Sequence, residues 1–430
     1  MSEWADQRIR DLLETSYAGE WGTTPSPGNA RVLRATDIDS DGRINGKGAL
    51  RQVPPAVLQV KRLQPGDIML EASGGSPDKP VGRVAFFFGQ EGGIPFLTSN
   101  FYKTLRSAKH VDARFLHWAL LGLYRQPRIL QFQQQTTGII NLKFQDYLDA
   151  KVHTPRALNE QKCIARILDT LDTQIQKTEA LIAKLEKVKE GLLHDLLTRG
   201  IDDNGQLRPS PEQAPELYKE SSLGLIPREW SVVSLLDAVE LPSGQVSPLS
   251  EPYSNLPLVA PDHLESGTSK LLHVKTAREQ GAISGKYAVR PGDVVYSKIR
   301  PYLRKAWLAD MESICSADMY PLRPILLTPE LLLRVILSND FTAFANAVSM
   351  RTGIPKINRD ELSAYEFALP PRAEQVQIEK AFVAMEYKVV KERTALTKLR
   401  AERVGVMEDL LTGRVRVTPL LDEAQATTPA

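Results

Sequence analysis

Between about Asn159 and Leu197 the apolar residues fall at alternating three- and four-residue intervals, and the same alternation returns near the end of the chain. With Ile164 as position d, that series runs Ile164, Leu171, Thr178, Leu185, Leu192, and the a series runs Leu168, Ile175, Ile182, Lys189, Leu196. The later stretch places Ile378, Met385, Glu392, Leu399 and Val406 at d, with Phe382, Val389, Leu396, Arg403 and Leu410 at a. A 3-4 spacing held this long is the pattern of a coiled-coil seam. The interruptions coincide: Thr178 and Glu392 break the same d slot, and Lys189 and Arg403 the same a slot. Each helix would be roughly 57 Å long at about 1.5 Å per residue and cannot bury its seam alone. The two are therefore expected to pair antiparallel. In that arrangement Thr178 and Glu392 meet at the axis, Lys189 lies near Phe382, and Arg403 near Leu168. Gly191 and Gly405 recur at one place, which reads either as close backbone approach or as a local kink.

Ahead of each helical stretch, short apolar runs such as Val32–Ala35 and Leu256–Ala260 alternate with Gly, Pro, Ser and Asp clusters, the pattern of short strands and turns. Helical spacing reappears around Phe115–Tyr124 and Pro329–Ser338. These regions repeat one another. Trp4 recurs as Trp230, Pro65-Gly66-Asp67 as Pro291-Gly292-Asp293, Thr137-Gly138-Ile139 as Thr352-Gly353-Ile354, and Pro155-Arg156-Ala157 as Pro371-Arg372-Ala373. The period is too long for a solenoid. The expected fold class is α+β: two pseudo-repeated mixed α/β domains separated by two long antiparallel coiled-coil helices. The divisions are 1–155 and 223–370 for the globular halves, 156–199 and 371–413 for the helices, 200–222 for a polar, proline-bearing linker, and 414–430 for a C-terminal tail. Between the shared motifs the halves differ, Glu71–Arg83 in one against Ser297–Lys305 in the other. A shared frame with different inserts suits a reader of two different sites; drift of surface loops would look the same.

Composition narrows the function more than it names it. The chain has 430 residues, 42% hydrophobic and 25% charged, as in a globular protein with two domains of ordinary size. A formal net charge of +2 means that any nucleic-acid role rests on local basic patches. The acidic start Met1–Asp6 lacks an apolar core, and no apolar run is long enough to cross a bilayer, so the expected location is the cytoplasm. Cys163 and Cys315 occupy non-equivalent places and are not expected to pair.

Catalytic chemistry is missing. Gly42–Lys47 and Gly281–Lys286 are each one residue short of a phosphate loop, and Gly48 or Tyr287 stands where the magnesium-binding hydroxyl belongs. The Pro-Pro pairs lie in Val53-Pro54-Pro55 and Leu369-Pro370-Pro371, not in the motif that grips an adenine for methylation. The six histidines show no metal-ligand spacing. The chain is not expected to be an enzyme, nor to bind a metal.

The lead Leu223-Gly224-Leu225-Ile226-Pro227-Arg228-Glu229-Trp230, the two Thr-Gly-Ile segments, Pro371-Arg372-Ala373-Glu374-Gln375 opening a long helix, and helices ending in Asp-Leu-Leu-Thr occur in a specific order. In that order the chain resembles the specificity subunit of Type I restriction–modification enzymes. The first copy departs by lacking the Leu-Gly-x-Ile-Pro lead and by carrying Leu158-Asn159 before Glu160-Gln161. The resemblance implies a non-catalytic DNA reader. Each half would be a target-recognition domain for one part of a bipartite sequence in double-stranded DNA, with the helices as a ruler. Two methyltransferase subunits carrying S-adenosylmethionine would dock on it, joined by motor-nuclease subunits using ATP and magnesium; this chain would bind none of these cofactors. Base readout favours Arg, Lys, Asn and Gln. The residues this points to are Ser73, Lys79, Arg83, Thr137, Asn141 and Lys143 in the first half. In the second they are Lys298, Arg300, Tyr302, Arg304, Lys305, Arg351, Thr352, Lys356 and Asn358. Two other readings stay open: a coiled-coil scaffold with duplicated protein-binding domains, and the specificity chain of a related methyltransferase–nuclease system.

Overall fold

A computed structural model describes residues 3–76, 79–89, 93–135, 138–349 and 355–421. The chain divides into two compact units, Met1–Glu179 with Thr394–Ala430, and Ala180–Arg393. Both long helices are continuous, Leu158–Thr198 and Arg372–Leu411. Each contributes one half to each unit.

In the first unit an antiparallel four-stranded sheet has the order Leu13–Ala18, Tyr102–Ser107, Ile68–Glu71, Val84–Phe86. The second unit repeats it with Val239–Glu240, Met319–Pro324, Val294–Ser297 and Ala306–Leu308. The Pro-Gly-Asp turns lead into the two Ile68 and Val294 strands, with Gly66 at φ 98° and Gly292 at φ 90° supplying the backbone conformation that a side chain resists. A short parallel pairing also recurs, Ala30–Leu33 with Phe96–Thr98 and Leu258–Val259 with Ser313–Cys315. The opening strand of each half pairs with the strand that precedes its long helix: Trp4–Arg8 with Lys151–Pro155, and Ser231–Ser234 with Glu366–Leu369.

The apolar face of Ala113–Arg125 packs on the first sheet and on the long helices, burying Phe115, Trp118 and Leu120 with Ile164, Leu168, Met407 and Leu410. Pro329–Ile336 does the same in the second unit, with Leu332, Ile336, Ile378, Phe382 and Leu196. Asp112 and Thr328 cap these two helices by accepting from the backbone N–H of Phe115 and Leu331.

Within each unit the long helices run antiparallel. In the first, Arg403 donates to Asp172 at 2.8 Å and Arg400 to Glu179 at 2.8 Å. In the second, Arg393 donates to Glu186 at 2.8 Å, and Lys189 reaches Glu386 at 3.4 Å. Arg403 and Lys189, expected near Leu168 and Phe382, pair with the carboxylates one turn along, Asp172 and Glu386. The Thr178 hydroxyl donates to the Gln174 carbonyl of its own helix at 2.9 Å. Of the two readings of Gly191 and Gly405, the close backbone approach falls, because no described residue lies within 4 Å of where a Cβ would stand at either.

The end of the stretch expected as a linker, Tyr218–Ser221, forms a hairpin with Gly224–Pro227 at the start of the second half. The start of the expected tail is also packed, with Val417 only 2% exposed; residues 422–430 lie outside the described residues. Both cysteines are free. Among the described residues no single helix is long and apolar enough to cross a membrane.

Candidate nucleic-acid interface

Each globular half is fastened to the helices by the same joint. Trp4 donates its indole N–H to Glu160 at 3.2 Å, and Arg416, just past the second long helix, donates to the same carboxylate at 2.7 and 3.1 Å. In the other unit Trp230 donates to Glu374 at 2.9 Å, and Arg208, just past the first long helix, forms a two-pronged pair with it. The neighbouring glutamines complete the fastening. Gln161 accepts from the Asp112 N–H at 2.7 Å and donates to the Pro155 carbonyl at 2.9 Å. Gln375 accepts from the Thr328 N–H at 3.0 Å and donates to the Pro370 carbonyl at 2.9 Å. Buried donors and acceptors satisfied this way hold geometry that an apolar contact leaves free to slide.

Away from the joints, the second half carries a basic loop after the strand Val294–Ser297. Lys298 is buried, with its ammonium over the Tyr320 ring at 5.0 Å from the centroid and no carboxylate in ion-pair reach among the described residues. Burial, reinforced by Lys356, lowers its pKa from the ordinary lysine range. Arg300, Tyr302 and Lys356 are exposed, and an isolated bridge joins Ile299 to Lys356. Lys305 donates to the Pro261 carbonyl at 2.6 Å. Arg304 donates to Asn339 Oδ1 at 3.1 Å and to the Leu337 carbonyl, so both of its terminal nitrogens are engaged at a helix end, while its buried Nε has no partner among the described residues. Asn358 is engaged as well: its Oδ1 accepts from the Glu361 N–H at 2.9 Å, capping Arg359–Ser363. Arg351 and Thr352 lie outside the described residues.

In the first half Ser73 and Asn141 face each other on paired strands, Ser73 Oγ donating to Asn141 Oδ1 at 2.6 Å. Lys79 and Lys143 are exposed, and Thr137 lies outside the described residues. Arg83 turns inward. It donates to Glu71 at 3.2 and 3.1 Å and to the carbonyls of Ile38 and Asp39 at 2.8 and 3.1 Å. Its guanidinium is engaged inside the fold and is not offered to a groove. Among the described residues no His, Cys, Asp and Glu cluster could hold a metal ion. Neither glycine-lysine segment rejected as a phosphate loop runs into a helix, and Lys286 is held by Ser284.

The model of the Type I restriction modification DNA specificity domain matches residues 1–187 and again 227–398, most of both repeats. The chain belongs to that family. It is 32% identical over 279 residues to the EcoDI specificity subunit of a Type I restriction enzyme from Escherichia coli, covering 62% of this chain and 61% of that one. It is 24% identical over 346 residues to the MjaVIII specificity subunit from Methanocaldococcus jannaschii, covering 78% and 77%. The chain thus spans 61% of the length of the Escherichia coli relative. The fold is like that of a chain solved in work on assembly and conformational transition of the type I R-M system, with TM-score 0.58, 16% identity and coverage of 96% and 98%. It is also like the S subunit from M. genitalium, with TM-score 0.53, 14% identity and coverage of 95% and 96%.

For a member of this specificity family, the joints are the residues that sequence reasoning passed over. Their signal was present in the repeat: Trp4 with Glu160-Gln161 returns as Trp230 with Glu374-Gln375. The arginines were invisible, because Arg208 and Arg416 sit in stretches that align with no motif. A charge network in the first unit was equally hidden. Arg43 reaches Asp172 at 2.9 Å and Glu179 at 2.7 Å, while Arg403 reaches Asp41 at 2.9 Å. Burial acts to raise the Asp172 carboxyl, but Arg43, with Gln176 and Arg403, outweighs it and holds the group below the usual range.

Proposed function

We propose that this chain is the DNA-reading subunit of a Type I restriction–modification complex and carries no catalytic centre of its own. Each half reads one part of a bipartite target in double-stranded DNA. The paired helices set the unread spacer and dock two methyltransferase subunits, which supply S-adenosylmethionine chemistry; motor-nuclease subunits with ATP and magnesium complete the restricting assembly. The observation that carries this reading is the repetition of one recognition fold, each copy fastened to the helix pair by the same Trp–Glu–Arg joint while its exposed loops differ. A rigid frame with divergent loops suits two independent readers. The test is selection of randomised duplex DNA by the purified full chain at several salt concentrations. The expected outcome is a split motif, with binding that weakens steeply as salt rises because phosphate contacts release counterions. A protein-binding scaffold would enrich no motif.

A further inference from the structure

We propose that Arg300 is a specificity-determining residue whose guanidinium reads a guanine in the second half of the target. The assignment rests on the DNA-reading function proposed above and adds the side chain, its base and the reason it is where it is. Equivalent hydrogen bonds fix the alignment of the two halves at this loop. The Ala72 carbonyl accepts from the Leu142 N–H at 2.9 Å, and the Lys298 carbonyl accepts from the Ile357 N–H at 3.0 Å. Two residues further on stand Gly74, at φ 103°, and Arg300, at φ 49° and ψ 61°. The fold thus demands positive φ at this point, and the first half meets the demand with the residue that adopts it freely. The second half meets it with arginine, in the left-handed region that disfavours side chains.

Among the described residues only Arg300 and Arg304 are non-glycine residues with positive φ. For Arg304 the compensation is internal, since its guanidinium caps a helix end through Leu337 and binds Asn339. Arg300 has no such return. Its backbone is pinned, with its N–H donating to the Pro355 carbonyl at 2.8 Å and its carbonyl accepting from the Leu303 N–H at 2.9 Å. Its side chain is exposed and meets no acceptor among the described residues. A strained backbone carrying an unengaged, exposed guanidinium is the mark of a side chain kept for a ligand. Lys298 and Lys356 beside it supply positive charge that attracts phosphates. The planar fork of Arg300, held on a fixed backbone, matches the O6 and N7 acceptors of guanine, the contact through which arginine distinguishes one base pair from the others.

The experiment selects randomised duplex DNA with the full chain and its Arg300→Ala, Arg300→Lys and Arg300→Gly variants, and measures melting of each. The expected result is a wild-type motif containing one G·C pair whose preference falls about 10- to 100-fold in all three variants, with the other half-site unchanged. Arg300→Gly is expected to melt no lower than wild type and above Arg300→Ala, because glycine relieves the backbone. A motif that survives in Arg300→Ala overturns the assignment. So does a uniform weakening across all sequences with Arg300→Lys behaving as wild type, the behaviour of a phosphate contact. A wild-type chain that enriches no motif would instead sink the DNA-reading function itself, which separates the two failures.

Discussion

Asp67 and Asp293 end the two Pro-Gly-Asp turns, and both are 1% exposed. Each accepts from the backbone N–H three residues earlier, at 2.7 Å from Gln64 and 2.9 Å from Arg290. Each also takes a two-pronged arginine, Arg106 at 2.8 and 2.9 Å and Arg323 at 2.9 and 3.1 Å. Removing one partner of such a pair leaves the other charge poorly solvated, so Asp293→Ala should cost about 3 kcal/mol, read from denaturant unfolding. His117 makes a second residue-level case. It is 3% exposed, its Nδ1 lies 3.1 Å from Arg114 Nη1, and its Nε2 has no partner among the described residues. Burial first, then Arg114 and Arg125, drive its pKa well below the ordinary value. The native state keeps it neutral while the unfolded chain takes up a proton near pH 6.5, so its influence vanishes above that pH. Below it, stability should fall by up to about 1.4 kcal/mol per pH unit. Melting curves from pH 7.5 down to 5 should show this slope in wild type and a shallower one in His117→Gln, whose side chain does not titrate.

The long helices show how elements are held by unequal charges. The exposed pairs between them, Glu186–Arg393 and Glu179–Arg400, are of a kind worth at most about 1 kcal/mol each. The joint carboxylates matter more. Glu374 has a side chain only 10% exposed and takes Arg208, the Trp230 indole and the Ile201 N–H at 2.9 Å. Glu374→Ala strands all of these donors and should destabilise the second unit by about 3–5 kcal/mol. Hydrogen exchange of the strand Ser231–Ser234 is the direct readout. Protection unchanged in the variant would mean that packing around Trp230, not the carboxylate, holds the joint.

At the scale of the whole molecule, the repeat predicts that the proposed DNA recognition is divisible. Each four-stranded sheet, its packed helix and its joint occur once per unit. Exchanging residues 1–155 for those of a relative with a different target should therefore alter one half of the recognised sequence and leave the other intact. Mapping methylated adenines in cells that carry the matching methyltransferase would test it. A change in both halves would count against independent readers.

The heptads, the duplicated motifs and the Pro-Gly-Asp turns are local or periodic signals, and each was legible: the helices extend over Leu158–Thr198 and Arg372–Leu411, and the turns lead into strands. Sequence also sufficed for the family, because the motifs recur in order in both halves while the segments between them differ. It did not decide which charge meets which. Arg403 and Lys189 pair with Asp172 and Glu386, and carboxylates off the seam are silent in a hydrophobic pattern. Nor could composition tell an arginine that faces outward from one turned inward. Arg83, Arg300 and Arg304 are alike in sequence, yet one is enclosed by Glu71 and backbone carbonyls, one caps a helix end, and one stands exposed on strained backbone. Those differences arise from which elements the tertiary structure brings beside each guanidinium, and only the folded chain decides that.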